Sequence, residues 1–455
     1  MGQVLVSGQQ VQDKLAAVPL CELGKKYMFT VIDLGFGDVS LVVSLKVRGI
    51  CVVKAESVCH TMRIFILFLY YGTEANGVDI QPFTSVETPF HPQENRQVYL
   101  IHQEQFLKLL RIFLSLKPLH YLIRLQPFVN GNFSVFGYME VEMEALEPTS
   151  NITLHMLDII TRITQSSVAF GGVEQRQVGI KRHHYDPVRQ FYVAHMDEEL
   201  IKGERYTLQM EFLGYLNDQL RGFYRSTYRD DDGTTKYLAV THFQPTDARR
   251  AFPCFDEPAL KATFEVHLAR ETWMTSLSNM PLAICVEGQE GWVWDRFERS
   301  VPMSTYLVAF VVSDFSYIPS TSGKDTLFRI WAQPSAIRHA EYVSEVGSKI
   351  LAFYESYFNV SYPLPKMDMV AVPDIAVRGM ENWGLITMID RSILYDPDVD
   401  SANHKDTLLE VVAHELAHQW FGNLVTPRWW DDLMLSTVTP DHAFLHMLTV
   451  MPNEN

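Results

Sequence analysis

The chain has 455 residues, enough for roughly two to four domains with sizeable cores. With 47% hydrophobic and 20% charged residues it has the balance of a globular protein, which excludes disorder throughout. A formal net charge of −16, from 54 acidic against 38 basic residues, excludes the basic footprint of a nucleic-acid binder. The five cysteines, Cys21, Cys51, Cys59, Cys254 and Cys285, form no C-x-x-C pair and are odd in number, which excludes a disulfide scaffold and a cysteine zinc site.

In chain order, residues 1–115 give strand-like apolar runs at Val4–Val6, Met28–Ile32, Leu41–Leu45 and Cys51–Val53 and an amphipathic helix over Gln103–Leu116, with Lys108 and Arg111 on its polar face. This segment carries no chemical motif and is left unassigned. Ile64–Tyr71 is the longest apolar run. It falls short of the roughly 18–20 residues of a membrane span and lies too far inside the chain for a signal core, so it is read as a buried strand. Met1-Gly2 is followed by Val6 where a myristoylation site wants Ser or Thr. No transmembrane segment and no clear signal or anchor is therefore expected. Three N-x-S/T sequons, at Asn132, Asn151 and Asn359, fit a secreted or cell-surface chain.

From Pro118 the pattern changes. Tyr121–Gln126 and Ser134–Met143 alternate apolar and polar residues, the period of half-buried strands, and similar runs recur at Arg205–Phe212, Tyr237–Thr241, Ala262–Ala269 and Tyr306–Val312. Asn130-Gly131-Asn132 and Asp230-Asp231-Asp232-Gly233 are turn clusters. Residues 116–313 are therefore expected to form a β domain. Helices enter beyond it: Ala336–Phe358 is a long amphipathic helix with a break before Asn359, and Met367–Val372 is a strand. Arg378-Gly379-Met380-Glu381-Asn382-Trp383-Gly384 reads as a loop leading into the strand Leu385–Ile389.

The strongest chemical signal is His414-Glu415-Leu416-Ala417-His418. On a helix, positions four apart share a face, so His414 and His418 can aim two imidazoles at one Zn²⁺ ion. Glu415 beside them suits a general base acting on a bound water. Thr407–Ala413 leads into this helix and Phe421-Gly422-Asn423 is a stop signal.

Three words together resemble the zinc aminopeptidases typified by aminopeptidase N, within the gluzincins. They are Gln244–Pro258 (QPTDARRAFPCFDEP), Gly379–Gly384 (GMENWG) and His414–Trp430 (HELAHQWFGNLVTPRWW). The resemblance covers roughly residues 118–435. It implies an α+β multidomain fold: an N-terminal, saddle-like β-sheet domain over 116–313, then a thermolysin-like catalytic domain over 314–435 that is incomplete at its C-terminus. It also implies one Zn²⁺ on His414 and His418, with Glu415 as the catalytic base. Glu381 and Gln244 would hold the free α-amino group of a peptide, and Gly379, Met380 and Asn382 would complete the substrate-binding word. The implied location is extracellular or at the cell surface. Outside these roles, Cys254 is read as a packed core thiol, Asp256 and Glu257 as turn and ion-pair residues, and Trp429 and Trp430 as core anchors.

Two departures stand out. Arg378-Gly379 occupies the first two places of the family's G-A-M-E-N word, which adds bulk beside the substrate strand. The family's third zinc ligand is a glutamate nineteen positions after the second histidine; here Thr437 stands there, and the family pattern is expected to stop at Leu435. The family's later tyrosine has no counterpart in this chain. Asp441, His442 and His446 follow Pro440, which interrupts the helix that would present them. Ser436–Asn455 is thus expected to be a divergent tail, read from another exon or from an intron; lack of any downstream in-frame N-E-G-F-A-like exon would remove that expectation. The function implied is a zinc metallo-aminopeptidase acting on peptides with a free N-terminus. The alternative is a catalytically impaired truncated form, a binding module or inactive, because the third ligand and the tyrosine are missing.

Overall fold

The computed structural model describes residues 42–47, 49–58, 61–68, 112, 115–161, 167–170, 176–289, 291–320 and 326–432. The chain divides into two units, Met1–His91 and Pro92–Asn455. In the first, Val42–Val47, Gly49–Val58 and Thr61–Phe68 form an antiparallel meander with Val47 opposite Gly49 and Val58 opposite Thr61. The apolar runs at 41–45, 51–53 and 64–71 fall largely on these strands. Those at 4–6 and 28–32 lie outside the described residues, as does most of the helix expected over 103–116. Its last residue, Leu116, opens a strand instead.

The second unit begins with a nine-stranded sheet. At its centre Leu116–Pro127, Ser134–Ala145 and Arg205–Tyr215 pair antiparallel, with Tyr121 opposite Val141 and Val141 opposite Leu208. The two-residue period turns Met139, Val141, Met143 and Ala145 wholly into the core. Thr263–Glu271 joins the other edge of Leu116–Pro127 in parallel. A three-stranded sheet (Ile180–Asp186, Phe191–Leu200, Thr149–His155) and a four-stranded sheet (Gly222–Arg229, Thr235–His242, Phe310–Ser313, Thr275–Ser278) complete the β region. The aspartate-rich turn closes the Gly222–His242 hairpin. Gly233 N donates to Asp230 O at 2.8 Å, and the φ of +81° at Gly233 is one that only glycine adopts cheaply. The run 306–312 is not one strand. Thr305–Leu307 is a 3-10 turn and the strand covers only Phe310–Ser313, because Leu307 O is taken by Asn279 Nδ2 and Trp383 N and not by a ladder.

Next comes a five-stranded sheet in the order Ser316–Pro319, Leu327–Ala332, Lys366–Val372, Leu385–Ile389, Gly379–Met380. Its three central strands are parallel and both edges antiparallel. All seven residues of Lys366–Val372 are buried, as a parallel strand covered on both faces requires. The helix expected over 336–358 starts with a 3-10 turn, Ile337–Ala340, and is α-helical over Glu341–Phe358. It stops at Asn359, whose φ of +51° places it in the left-handed region. It packs against the helix Ala402–Ala417, whose N-cap Ser401 accepts from His404 N at 3.3 Å. This second helix ends one turn before the expected Phe421-Gly422-Asn423 signal: His418 is its C-cap, and Gly422, at φ +132°, lies in the loop beyond.

Candidate active site

The Ala402–Ala417 helix buries Leu408, Val411, Val412, Ala413, Leu416 and Ala417. That fixes its rotation and brings the two histidines together at its C-terminal end. His414 Nε2 and His418 Nε2 are 3.0 Å apart, and their rings are nearly perpendicular at 81°. Two nitrogens each about 2.0–2.1 Å from one tetrahedral ion stand about 3.3 Å apart, so this spacing fits a shared zinc. His418 Nδ1 lies 2.8 Å from Phe421 O. A ring nitrogen beside a carbonyl carries the proton, which leaves Nε2 as the free lone pair that a metal takes.

Glu415 is 5% exposed and its Oε2 has no hydrogen-bond partner among the described residues. Burial, and next the carboxylate of Glu381, push its pKa well above the ordinary range, while the positive charge of Arg378 acts in the opposite direction. Its other oxygen rests against the backbone of Gly379, where an added Cβ would lie 2.3 Å from Oε1. Only a residue without a side chain leaves this carboxylate its place.

Glu381 is buried on the turn after the short strand Gly379–Met380. Gln244, just past the strand Thr235–His242, donates from Nε2 to Glu381 Oε1 at 3.3 Å. The Gln244–Pro258 word that delivers it is a scaffold. Arg249 and Asp256, both buried, pair at 2.9 Å, Asp256 also accepts from Thr305 Oγ1 at 2.8 Å, and Glu257 accepts from Ile112 N at 2.6 Å. Cys254 is a buried free thiol, and Trp429 and Trp430 are buried. Met380 is fully buried. Asn382 is too: its Nδ2 donates to Thr387 Oγ1 at 3.2 Å, and its Oδ1 has no partner among the described residues. The structure thus brings His414, His418, Glu415, Glu381, Gln244 and Gly379 into one neighbourhood. Thr437 lies outside the described residues.

Residues 117–307 match the Peptidase M1 N-terminal domain and residues 342–445 the Peptidase family M1 domain. The chain belongs to peptidase family M1. It is 41% identical to endoplasmic reticulum aminopeptidase 1 of Mus musculus over 323 residues, which is 70% of this chain and 34% of that protein. It is 41% identical to aminopeptidase N of Bos taurus over 337 residues, 72% of this chain and 35% of that protein. It is also 41% identical to aminopeptidase A of Gloydius brevicauda, covering 70% of this chain and 33% of that protein. The chain spans about a third of the length of these relatives. The family match runs to residue 445, ten positions past the Leu435 at which the pattern was expected to stop.

Several residues of this M1 site carry no signal that the motifs alone revealed. Gln419 Nε2 and Asn423 Nδ2 both donate to Glu381 O, at 3.3 and 2.8 Å, tying the turn that carries Glu381 to the segment that follows the two histidines. Both lie inside the quoted HELAHQWFGN word, one and five places after the second histidine, so their positions were visible even though their partner was not. Tyr306 Oη donates to Gly422 O at 2.9 Å and packs edge-on against Trp430. Lys261 reaches Asn423 O and Leu424 O at 3.0 and 3.1 Å. The zinc fit rests on the two convergent Nε2 atoms and the orphaned Glu415 oxygen. Among the described residues no group of three or more His, Cys, Asp or Glu gathers as a complete metal centre.

Proposed function

We propose that the chain is a zinc aminopeptidase, removing the first residue of peptides that have a free N-terminus. The observation that carries this reading is the convergence of His414 Nε2 and His418 Nε2 beside Glu415, with Glu381 close enough for the two carboxylates to repel. His414 and His418 would hold the zinc, which supplies Lewis acidity and an acidified water. Glu381 would hold the substrate ammonium by a charge-assisted hydrogen bond, with the side-chain carbonyl of Gln244 as second acceptor. An internal peptide bond offers no such ammonium, so this anion selects chain ends. Glu415 would take a proton from the attacking water and return it to the leaving amine as the C–N bond breaks. Met380 and Asn382 would shape the site from beneath, and the backbone of Gly379 would face the scissile bond. The division at 115, 313 and 435 belongs to the same proposal.

Names of the relatives that print a compartment point to the endoplasmic reticulum. Asn132, Asn151 and Asn359 are all exposed, as glycosylation requires. No helix among the described residues is long and apolar enough to cross a membrane. We place the chain on the secretory route or at the cell surface; a glycosidase-sensitive mass on the protein from eukaryotic cells tests this.

The function itself is tested by zinc content and hydrolysis of leucine p-nitroanilide with the purified chain. The expected result is one zinc per chain and turnover, with the zinc lost in His414→Ala and the turnover lost in Glu415→Gln. A second reading is favoured by Thr437 at the expected third-ligand position: a module that binds peptide ends without cleaving them. Peptide binding that depends on Glu381, with no turnover at saturating zinc, selects that reading.

A further inference from the structure

The strand Gly379–Met380 pairs with Leu385–Ile389 on one side, Gly379 opposite Met388 and Met380 opposite Thr387, and with no described strand on the other. An open edge of this kind accepts an extended peptide as an additional strand. The direction of that peptide follows from the site. If its amine is at Glu381, its reacting bond must lie beside Glu415, and Glu415 rests on Gly379. The peptide therefore runs antiparallel, past Met380, then Gly379, then Arg378. It cannot run the other way along the chain, because Leu385 N closes back on Asn382 O and turns the backbone away. With one residue opposite one residue, the second and third residues of the peptide arrive at Gly379 and Arg378.

Arg378 is exposed and makes no hydrogen bond or ion pair through its guanidinium with any described residue. Asp374 and Asp390, on the flanking segments, do not pair with it: Asp374 accepts from Ser226 Oγ, and Asp390 accepts from Arg391 N. Arg378 is the chain neighbour of Gly379, whose backbone is in contact with the Glu415 carboxylate, so its side chain starts one residue from the site. A cation with no partner among the described residues thus stands beside the path that the peptide would take beyond its first bond.

We propose that Arg378 is a specificity-determining residue, selecting peptides with an acidic side chain at the second or third position. This rests on the reading that Glu381 takes the substrate amine. An exposed charge pair contributes a few-fold in affinity, and replacing attraction by repulsion doubles the exponent, so Glu should bind about three- to tenfold tighter than Lys at the position that Arg378 meets.

The test is fluorescence anisotropy with the full chain and one equivalent of zinc. The probes are labelled tetrapeptides beginning with Leu, with an uncleavable CH₂–NH isostere as first bond and Glu, Gln or Lys at position two or three. The expected order is Glu, then Gln, then Lys, in one of the two series, with the gap shrinking as salt is added. It should vanish in Arg378→Gln and reverse in Arg378→Glu. Equal affinities, or a gap that survives Arg378→Gln, overturns the proposal while leaving the amine-binding reading intact. N-acetylated peptides that bind as well as free ones, Glu381→Gln that binds as well as the parent, or no peptide binding at all overturns the amine-binding reading and this proposal with it.

Discussion

Asp368 and Glu415 are both carboxylates taken almost wholly out of water, at 0% and 5% exposure, and the chain treats them in opposite ways. Asp368 lies in the strand Lys366–Val372 and is saturated with donors. Arg329 grips both oxygens, at 2.6 and 2.8 Å, Trp331 Nε1 donates at 2.9 Å, and Lys366 Nζ stands at 2.8 Å. Burial alone would raise its pKa; Lys366 and Arg329 outweigh that and hold it below the ordinary value. Lys366 uses its other protons on Ser278 O and Gly384 O, at 2.6 and 2.7 Å, joining the four-stranded sheet to the turn after Glu381. Glu415 has the reverse arrangement: an oxygen with no partner among the described residues and a second carboxylate as the charge it feels most. A satisfied buried charge is architecture. An unsatisfied one is costly, and such groups cluster where chemistry is done.

The contrast breaks most visibly through Glu415→Gln. Loss of a general base lowers turnover by about 10²–10⁴-fold. Because Glu415 has no cation to leave unpaired, the amide should leave thermal stability within about 1 kcal/mol of the parent. Anilide turnover and a melting curve on the same sample check both halves. A collapse of stability would mean that Glu415 is architectural after all.

Asp368→Asn should do the opposite. It strands Lys366 and Arg329 without their counter-ion, and breaking a buried pair in this way costs about 3–5 kcal/mol. Chemical denaturation should show the loss directly. Turnover at a temperature where the variant is still folded should fall far less than in Glu415→Gln. A variant as stable as the parent would place Asp368 among the dispensable charges.

A third buried group sharpens the comparison from the side of the bases. His242 ends the strand that delivers Gln244, and its Nδ1 is buried without a partner among the described residues. Burial first, and Arg221 second, lower its pKa to about 4. The folded value is depressed, so the associated stability is present above the ordinary value of 6.5 and is lost as pH falls through about 4. A shift of this size corresponds to about 3 kcal/mol. His242→Gln should flatten the acid limb of a stability-versus-pH curve between pH 6.5 and 4. An unchanged limb would assign acid sensitivity elsewhere.

The sequence singles out the two histidines and Glu415 through the spacing of one short word, and Glu381 and Gln244 only through what the resemblance to the family words implies; the structure brings all five into one neighbourhood. Alternating strands such as Ser134–Ala145 were legible for the same reason: period two is local. The Asp368 network was not. Its partners Arg329, Trp331 and Lys366 come from two strands paired in parallel, and a Lys and an Asp inside KMDMVAV give no hint of which strand will face them. The turn at Thr305–Leu307 was read as strand because its hydrogen bonds go to Asn279 and Trp383, far along the chain. Arg378 was visible as a departure from the family word, but its open strand edge was not.

The smallest expected effect is also the most pointed, because it restores the family word. Gly379 stands where G-A-M-E-N has alanine, and an added Cβ would meet Glu415 Oε1 at 2.3 Å, Cδ at 2.6 Å and Cγ at 2.7 Å. No real Cβ tolerates such contacts, so Glu415 must move. Its carboxylate is the end of a side chain and can swing, but it is buried, and overpacking of this kind costs about 1–3 kcal/mol. Displacing a base by about 1 Å costs up to about 10²-fold in rate. Gly379→Ala should therefore lower stability by about 1–3 kcal/mol and turnover by more than the stability loss explains, with little change in the contact between Gln244 and Glu381. Kinetics with free and N-acetylated peptides separate the two effects. If the alanine variant is faster, the seat of Glu415 against Gly379 is a resting position, and the working one lies away from the strand.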